Sequence, residues 1–436
     1  MMSTLRWLAI LLCLSVLGCS RGCAQQPPGP KGPDLEDIQK ATHPGYVTPP
    51  GIRQECLGRL VFDVPRAMEW GIAYTAWRDF SENHNYEGFP GDIAGEDEHS
   101  QVGRIAIRVM GPVPRKGLEE QIQLHAVGKS LAIKRLKSES EGKTWTIETL
   151  RENPNKEDPI AIAKSLQELE TDIHENETRS KAIEKAWHPY DLEIPDSVAY
   201  VAGSTLYAYL WRDGRLHCFM DSQGDGEPPL EIRKPKFDAF VRAYRPRKLY
   251  EIPTERGICL PYGFVPDDGT TTYDIKVSLR YQDTPGVIYT LGTATVGELG
   301  SEPAWFHSTS SAMAGIGGEL EGYKVDRIGP RSARIGALTA QQGGIVVHQR
   351  PKGKAPFETY LMYTGYGGWG DSQVLPTVSL DLRCFTADKE GAPILKKNPP
   401  PFSVTYSRYE GLLKSLRMRP TIPLMPEFEK LKPTTK

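Results

Sequence analysis

Apolar and polar positions alternate with a period of two along many short segments of this chain, and Gly, Pro and Asp separate the segments. Such alternation is typical of β-strands. Helical periodicity is rarer, so the pattern predicts an α+β fold of mainly antiparallel sheets with a few flanking helices. The predicted strands are RIAIRVM, TWTIETL, VAYVAG and LYAYLW in the first part of the chain and YDIKVSLRY, GVIYTLG, YKVDRIG, RIGALTA, GGIVVHQ, FETYLMY and VSLDLRCF in the second.

Several of these patterns occur twice, in the same order. Cys56 lies in ECLGRLVFDVP and Cys259 in ICLPYGFVPDD, while LHCF around Cys218 matches LRCF around Cys384. Each copy closes with a helical apolar face followed by arginines. These faces are Phe237, Phe240, Val241, Tyr244, Arg245 and Arg247 in the first copy and Tyr409, Leu412, Leu413, Leu416, Arg417 and Arg419 in the second. The repeat predicts two related domains, from about Ile52 and from about Ile258, with a proline-containing segment between them.

The first copy contains an insertion. Its two cysteines lie 162 positions apart and those of the second copy 125, a difference of 37 residues. The best candidate is a helix near residues 158–187, whose apolar residues share one helical stripe. Packing of this helix against its own sheet is the simpler interpretation, and a partner-binding helix is the alternative. The stripe comprises Ile162, Leu166, Leu169, Ile173, Ile183 and Trp187.

The N-terminal residues predict export. Arg6 precedes an apolar run, Trp7 to Leu17, that is too short to span a membrane and typical of a signal peptide. The run ends in a sequence that resembles a lipobox, so residues 1–19 are predicted to be a signal peptide and Cys19 the lipidated residue. Cleavage after Ala24 is the alternative. Ser20 favours the outer membrane, and the Pro- and Gly-rich residues 20–51 are predicted to be a flexible tether in the periplasm.

An exported chain can form disulfides. Four cysteines lie beyond the N-terminal region, and pairing within each copy, Cys56 with Cys218 and Cys259 with Cys384, fits the repeat. Four cysteines allow three pairings, however, and buried reduced cysteines are also compatible with the sequence.

The sequence contains no nucleotide-binding, metal-binding or catalytic motif that meets its structural requirements. The net charge of −2 lacks the basic surplus of nucleic-acid binding proteins. GYGGWG, residues 365–370, satisfies G-x-G-x-x-G, but a turn and a strand follow it rather than a helix. The loop Asp221 to Gly226 has Ile232 where a calcium loop needs glutamate. Metalloprotease and serine-hydrolase motifs are absent from the sequence, so we expect no enzyme activity, cofactor or metal site.

Two loops remain as candidate contact surfaces. Tyr366, Trp369 and Asp371 are predicted at an exposed hairpin end, which is either structural or a binding surface. The acidic run Glu96, Asp97 and Glu98 is either ordinary solvated surface or a patch that attracts a basic partner.

ECLGRLVFDVP and GICLPYGFVPDDG resemble the two domains of immunity proteins that protect bacteria with type VI secretion systems from phospholipase effectors of the fourth Tle class. The resemblance covers Ile52 to about Arg419 and is strongest at GICLPYGFVPDDG. It implies an N-terminal immunity domain at 52–250, a C-terminal one at 256–420 and a tail at 421–436. It also implies that the two domains form a two-jaw clamp.

The implied function is binding and inhibition of a cognate phospholipase by holding its lid closed, which requires no chemistry. Its partners would be the effector and, through the lipid anchor alone, the membrane. No contact residue carries over from the family, so Tyr366, Trp369, Asp371, Glu96, Asp97 and Glu98 are candidates by residue type. The alternatives are an envelope lipoprotein with another binding or structural role, and an envelope enzyme whose polar residues are distant in sequence.

Overall fold

Antiparallel strands make up most of the fold. The computed structural model describes residues 33, 35–71, 99–152, 159–224, 226–295, 323–349, 356–370, 372–384 and 399–431. The helices are α1 (Leu35–Ala41), α2 (Lys116–Glu152), α3 (Pro159–Ala186), α4 (Leu230–Ala243), α5 (Phe402–Ser415) and a C-terminal 3-10 helix (Pro426–Leu431). The strands of the first half are β1 (Arg53–Leu57), β2 (Leu60–Val64), β3 (Met68–Trp70), β4 (His99–Val102), β5 (Ile105–Met110), β6 (His188–Tyr190), β7 (Ser197–Ala202), β8 (Thr205–Arg212), β9 (Arg215–Asp221) and β10 (Arg245–Pro246). Those of the second half are β11 (Gly257–Leu260), β12 (Gly263–Pro266), β13 (Tyr273–Tyr281), β14 (Val287–Ala294), β15 (Tyr323–Ile335), β16 (Leu338–Gln349), β17 (Phe357–Tyr366), β18 (Thr377–Cys384) and β19 (Arg417–Met418).

One long sheet connects the two halves. Its strand order is β15-β16-β17-β18-β14-β13-β4-β5-β9-β8-β7-β6, and β3 also pairs with β13. The halves meet where β13 pairs with β4 in antiparallel fashion, with Tyr273 opposite Val102 and Lys276 opposite His99. The predicted α+β class with mainly antiparallel strands is confirmed.

The strand order also confirms the repeat. We number the strands of each half along this path in chain order, β4 to β9 in the first half and β13 to β18 in the second. Outward from the β4–β13 pair, the strand order in both halves is then first, second, sixth, fifth, fourth and third. Cys218 lies on the third strand outward in the first half, and Cys384 lies on the third strand outward in the second half. Strands β9 and β18, which carry Cys218 and Cys384, are therefore equivalent interior strands of one pseudo-symmetric sheet.

The hairpins that open the two copies lie outside this sheet and are exchanged. Hairpin β1–β2 is extended by β19, which follows the closing helix of the second half. Hairpin β11–β12 is extended by β10, which follows the closing helix of the first half. Each three-stranded sheet therefore combines strands from both halves of the chain.

The helical segment between β5 and β6 is longer than the sequence suggested. Between β5 and β6, α2 and α3 form an antiparallel pair in which Leu136 and Ile147 of α2 and Ile162 of α3 are buried. The predicted helix near 158–187 is present as α3, but it packs against α2, which the sequence analysis missed.

The strand predicted for TWTIETL is wrong, because this segment lies inside α2. Its β-branched residues produced the strand-like pattern. The helix accommodates the threonines because their hydroxyl groups donate to carbonyl groups four residues earlier, as Thr144 does to Ser140 and Thr146 to Gly142, at 2.9 and 3.0 Å.

Residues 35–436 form one compact unit. The main hydrophobic core takes residues from both halves, for example Phe62 and Phe219 from the first and Tyr289 and Leu413 from the second. The domain boundary at 250–256 and the clamp arrangement stay predictions. The predicted flexible tether at 20–51 is wrong for its second part, because α1 forms there and buries Ile38 and Ala41 in the main core.

Candidate binding surfaces and the junction between the halves

A disulfide lies at the junction between the halves. It joins Cys56 to Cys259, with the two Cα atoms 5.6 Å apart, while Cys218 and Cys384 are free thiols. The predicted pairing within each copy is therefore wrong. Because the opening hairpins are exchanged and lie side by side, their equivalent cysteines meet each other rather than the cysteines of the sheet.

Backbone pairing reinforces the disulfide. The amide of Gly58 donates to the carbonyl of Cys259 at 2.8 Å, and the amide of Cys259 donates back to the Gly58 carbonyl at 2.7 Å. Gly58 has a φ of +58°, a left-handed conformation that favours glycine. A Cβ atom there would also lie 2.5 Å from the ring of Tyr273. The close approach of the two hairpins thus depends on a glycine in the turn.

Arg247 is buried at the same junction. Its guanidinium forms an ion pair with the buried carboxylate of Glu55 at 2.7 Å. Its nitrogens also donate to the carbonyl groups of Cys56 at 3.2 Å, Leu260 at 2.9 Å and Gly263 at 3.1 Å. These acceptors lie on both hairpins, so one side chain holds the two hairpins and the closing segment together.

The carboxylate of Glu55 is equally well satisfied. It accepts from the amides of Cys56 at 2.7 Å and Tyr250 at 2.6 Å, besides its ion pair with Arg247. A buried charge costs free energy unless it is paired and hydrogen-bonded, and both conditions hold for each member of this pair.

Arg419 is the repeat equivalent of Arg247 and is buried in an equivalent place. It donates to the carbonyl groups of Pro253, Glu255 at 2.8 Å and Gly257 at 2.7 Å. Burial lowers the pKa of Arg419 to about 10. The sequence analysis noted these arginines only as positive charge after a helical apolar face; in the structure both side chains bind backbone carbonyl groups of the linker and the hairpins.

The glycine-rich loop after β17 is held by hydrogen bonds to the rest of the fold and is not an exposed hairpin end. Tyr366 ends β17, is buried and belongs to the main core, which contradicts the expectation that it is exposed. Trp369 is half-buried, and its amide donates to the carbonyl of Leu375 at 2.9 Å. Glu427 of the 3-10 helix accepts from the Ser372 hydroxyl at 2.7 Å. The contact role of Trp369 stays a prediction.

The other residues of those predictions lie outside the described residues. These residues are Asp371, Glu96, Asp97, Glu98 and Cys19.

The helical pair α2–α3 presents the largest group of exposed apolar side chains in the described part of the chain. On α2, Leu124, Val127, Leu131 and Trp145 have exposed fractions of 47%, 54%, 61% and 68%. Positions 124, 131 and 145 are separated by multiples of seven, so they share one helical face. That face points away from α3, because the residues of α2 that pack on α3 lie on the other side of the helix.

The base of this helical pair is fixed to the sheet. The ring of His125 stacks on Tyr200 with 4.4 Å between centroids, and its Nε2 lies 2.7 Å from the Tyr209 hydroxyl. Lys129 donates to the carbonyl groups of Glu184 and Trp187 at the end of α3, at 2.7 and 2.9 Å. The N-terminal part of α2, where the exposed stripe begins, is therefore fixed to the sheet and to the end of α3.

A buried carboxyl group lies on β18. Asp381 is directly opposite Tyr363 of β17 and Thr290 of β14, and its Oδ2 is 3.9 Å from Arg383. Burial raises the pKa of Asp381 to about 7. Such a shift is common in catalytic carboxyls but also occurs in structural ones, and it does not by itself indicate an enzyme.

The remaining motifs have structural roles in the described residues. Asp221 of the rejected calcium loop forms ion pairs with Arg104 at 3.3 Å and Arg233 at 3.1 Å. Within those residues, no group of three or more His, Cys, Asp and Glu could hold a metal, and no helix is long and apolar enough to cross a membrane. As expected, β18 follows the glycine-rich loop, so GYGGWG has no helix to offer a phosphate.

Comparison with known proteins gives one family match. Residues 251–421 match the family model of the Tle cognate immunity protein 4 C-terminal domain. The resemblance noted at GICLPYGFVPDDG is thereby confirmed, and the match covers most of the second half of the chain. No curated relative matches the chain.

Solved structures with a similar fold also exist. The immunity protein TplEi of the type VI secretion system of Pseudomonas aeruginosa, complexed with the "L" peptide, is 14% identical with a TM-score of 0.47, and the alignment covers 85% of this chain and 99% of that one. The apo form of TplEi has 14% identity and a TM-score of 0.46, over 85% and 98%. The crystal structure of the Tle4–Tli4 complex has 16% identity and a TM-score of 0.47, over 86% and 100%.

Proposed function

We propose, from the match of residues 251–421 to the model of the Tle cognate immunity protein 4 C-terminal domain, that this protein is a type VI secretion immunity protein. It binds a cognate phospholipase effector and inhibits it without chemistry of its own. The family match is the observation that carries the proposal.

The fold supports extending this function to the whole chain. The matched segment spans β11 to β19 and so contains every strand of the second copy. The first copy repeats the same strand order, and the exchanged hairpins bind the copies to each other. The two copies are therefore parts of one structural unit.

The periplasm is the proposed compartment. The signal-peptide pattern of residues 1–19 supports export, and lipidation of Cys19 would keep the inhibitor near the phospholipid that the effector attacks. The Cys56–Cys259 disulfide supports the same compartment, because structural disulfides persist in oxidising environments.

The proposed mechanism is stabilisation of the closed lid. A lipase with a lid must open before lipid reaches its active site, and an inhibitor that binds only the closed state shifts the population toward it. An inhibitor of this kind works best when it is rigid, because a flexible one loses entropy on binding. The buried Arg247–Glu55 pair and the disulfide both stiffen the junction.

The exposed stripe of α2 is the first surface to test for effector contact. Tryptophan is enriched among the residues that contribute most to binding, whereas leucine and valine contribute mainly through the apolar area that an interface buries. Trp145 and Leu131 are the most exposed members of the stripe. Ile160 of α3 is 80% exposed but lies outside the stripe, so Ile160→Ala is a matched control.

The function is tested by co-expression in the periplasm of a test bacterium. The phospholipase effector from the same strain is expressed with and without this protein, and survivors are counted. Rescue together with a stable co-purified complex supports the proposal. Continued killing and no complex on size-exclusion chromatography would contradict it for that pair and favour another envelope-binding role.

A further inference from the structure

The opening hairpin of each half docks on the other half. Hairpin β1–β2 lies against α5, where the amide of Asp63 donates to the Ser415 hydroxyl at 3.0 Å. Arg417, just after α5, lies 3.6 Å from the carboxylate of Asp63. All these contacts join residues more than 350 positions apart in the chain.

The reciprocal contacts place hairpin β11–β12 against α4. Gly263 of β12 approaches the ring of Tyr244 so closely that a Cβ atom would lie 2.0 Å from the hydroxyl oxygen. The guanidinium of Arg215 lies 3.5 Å from the ring centroid of Tyr262. The second hairpin thus packs on the helix and the sheet of the first half.

The two docking arrangements are equivalent in detail. The amide of Arg419 donates to the carbonyl of Arg59 at 2.8 Å, and the amide of Arg247 donates to the carbonyl of Tyr262 at 3.1 Å. Arg59 and Tyr262 each lie three positions after the hairpin cysteine. The disulfide joins those equivalent cysteines, as expected where a pseudo-twofold axis passes between two copies.

We infer that this protein is a fused, arm-exchanged dimer of one ancestral module. Each half carries a docking surface formed by its closing helix, the strand after it and its sheet. The partner that fits this surface is the opening hairpin of another copy of the module. The cooperative units of the protein therefore cross the sequence: β1–β2 unfolds with the second half, and β11–β12 unfolds with the first.

The exchange of hairpins involves this chain alone and does not depend on the effector. It has a practical consequence for the family-matched segment 251–421. That segment lacks β1–β2, so the face of α5 that now packs against β2 would be left uncovered.

Hydrogen exchange of the full-length protein tests the crossed units. Phe62→Ala on β2 and Val265→Ala on β12 are a matched pair, because both residues lie six positions after the hairpin cysteine and both are buried in the main core. Phe62→Ala should accelerate amide exchange in α5 and β15–β17 by on the order of a hundredfold, with a much smaller effect in β5–β9 and α4. Val265→Ala should accelerate α4 and β7–β9 and leave α5 nearly unchanged.

The opposite pattern, with each variant loosening its own half, would overturn the inference, and so would uniform acceleration across both halves. Ser415→Ala provides a milder variant in case a core variant fails to fold. It removes the hydroxyl that binds Asp63 and should accelerate exchange in residues 60–64, far away in sequence. Unchanged exchange in those residues would count equally against exchanged docking.

Discussion

Removal of the Cys56–Cys259 disulfide should destabilise the protein strongly without changing its fold. The bridge spans a sequence separation of 203 residues. In the chain-entropy treatment, a loop of this length reduces the entropy of the unfolded chain by an amount worth about 5 kcal/mol at 25 °C. The backbone bonds between Gly58 and Cys259 and the Arg247 contacts remain, so the reduced protein should still fold.

The assay is urea unfolding, monitored by circular dichroism, of the wild type and of the double variant Cys56→Ala, Cys259→Ala, each with and without reductant. We expect the wild type to lose several kcal/mol of unfolding free energy on reduction, and the double variant to be insensitive to reductant. Cys218→Ala is the matched control, since it removes a buried but free thiol and should keep the full response to reductant. A reduction-dependent loss of less than about 1 kcal/mol would refute the view that the bridge ties two long segments of the unfolded chain.

Three further predictions concern the buried ion pair of the junction, the carboxyl group on β18 and the exposed stripe of α2. Arg247→Met leaves the Glu55 carboxylate buried without its ion pair and should cost about 3–5 kcal/mol in urea unfolding, part of which Glu55→Gln should restore in the double variant. Burial raises the folded-state pKa of Asp381 to about 7, so the stability that its neutral carboxyl group contributes is complete below pH 4 and is lost as pH rises through 7. Asp381→Asn should therefore stabilise the protein by up to about 4 kcal/mol at pH 8 and by little at pH 4. Equal shifts in melting temperature at both pH values would contradict this. Trp145→Ala combined with Leu131→Ala should weaken effector binding at least tenfold by calorimetry while Ile160→Ala does not, and equal affinities would remove the α2 stripe from the interface.

The sequence contained enough information for the repeat but not for the exchange. Period-two patterns identified most sheet strands, because strands with one face on the core must alternate. The matching segments around Cys218 and Cys384 correctly indicated equivalent strands. Nothing in a repeat says whether a hairpin packs on its own copy or on the next one, since the contacts are chemically the same in both cases. For that reason the cysteine pairing was wrong.

Two other errors have local causes. The β-branched residues around Thr146 favoured a strand, whereas a long helix with back-bonded threonine hydroxyls formed there because it packs against α3. Tyr366 was predicted to be exposed from its glycine-rich neighbours, but it is the last residue of a core strand and its ring faces inward. A signal was available for the buried arginines, because Arg247 and Arg419 recur at the same position of both copies.

The architecture also indicates where specificity for a partner should lie. A fused, arm-exchanged pair presents similar surfaces twice, so the shared elements alone would offer a partner two nearly equivalent sites. The α2–α3 pair breaks this equivalence, because it follows the second sheet strand of the first half and accounts for the longer spacing between that half's cysteines. Its base is held by His125 and Lys129, and its exposed stripe lies on the far side from α3. An inhibitor that must recognise one effector in one orientation needs such an asymmetric element, and we therefore expect variants of α2 to change effector specificity, and variants of the junction to change stability.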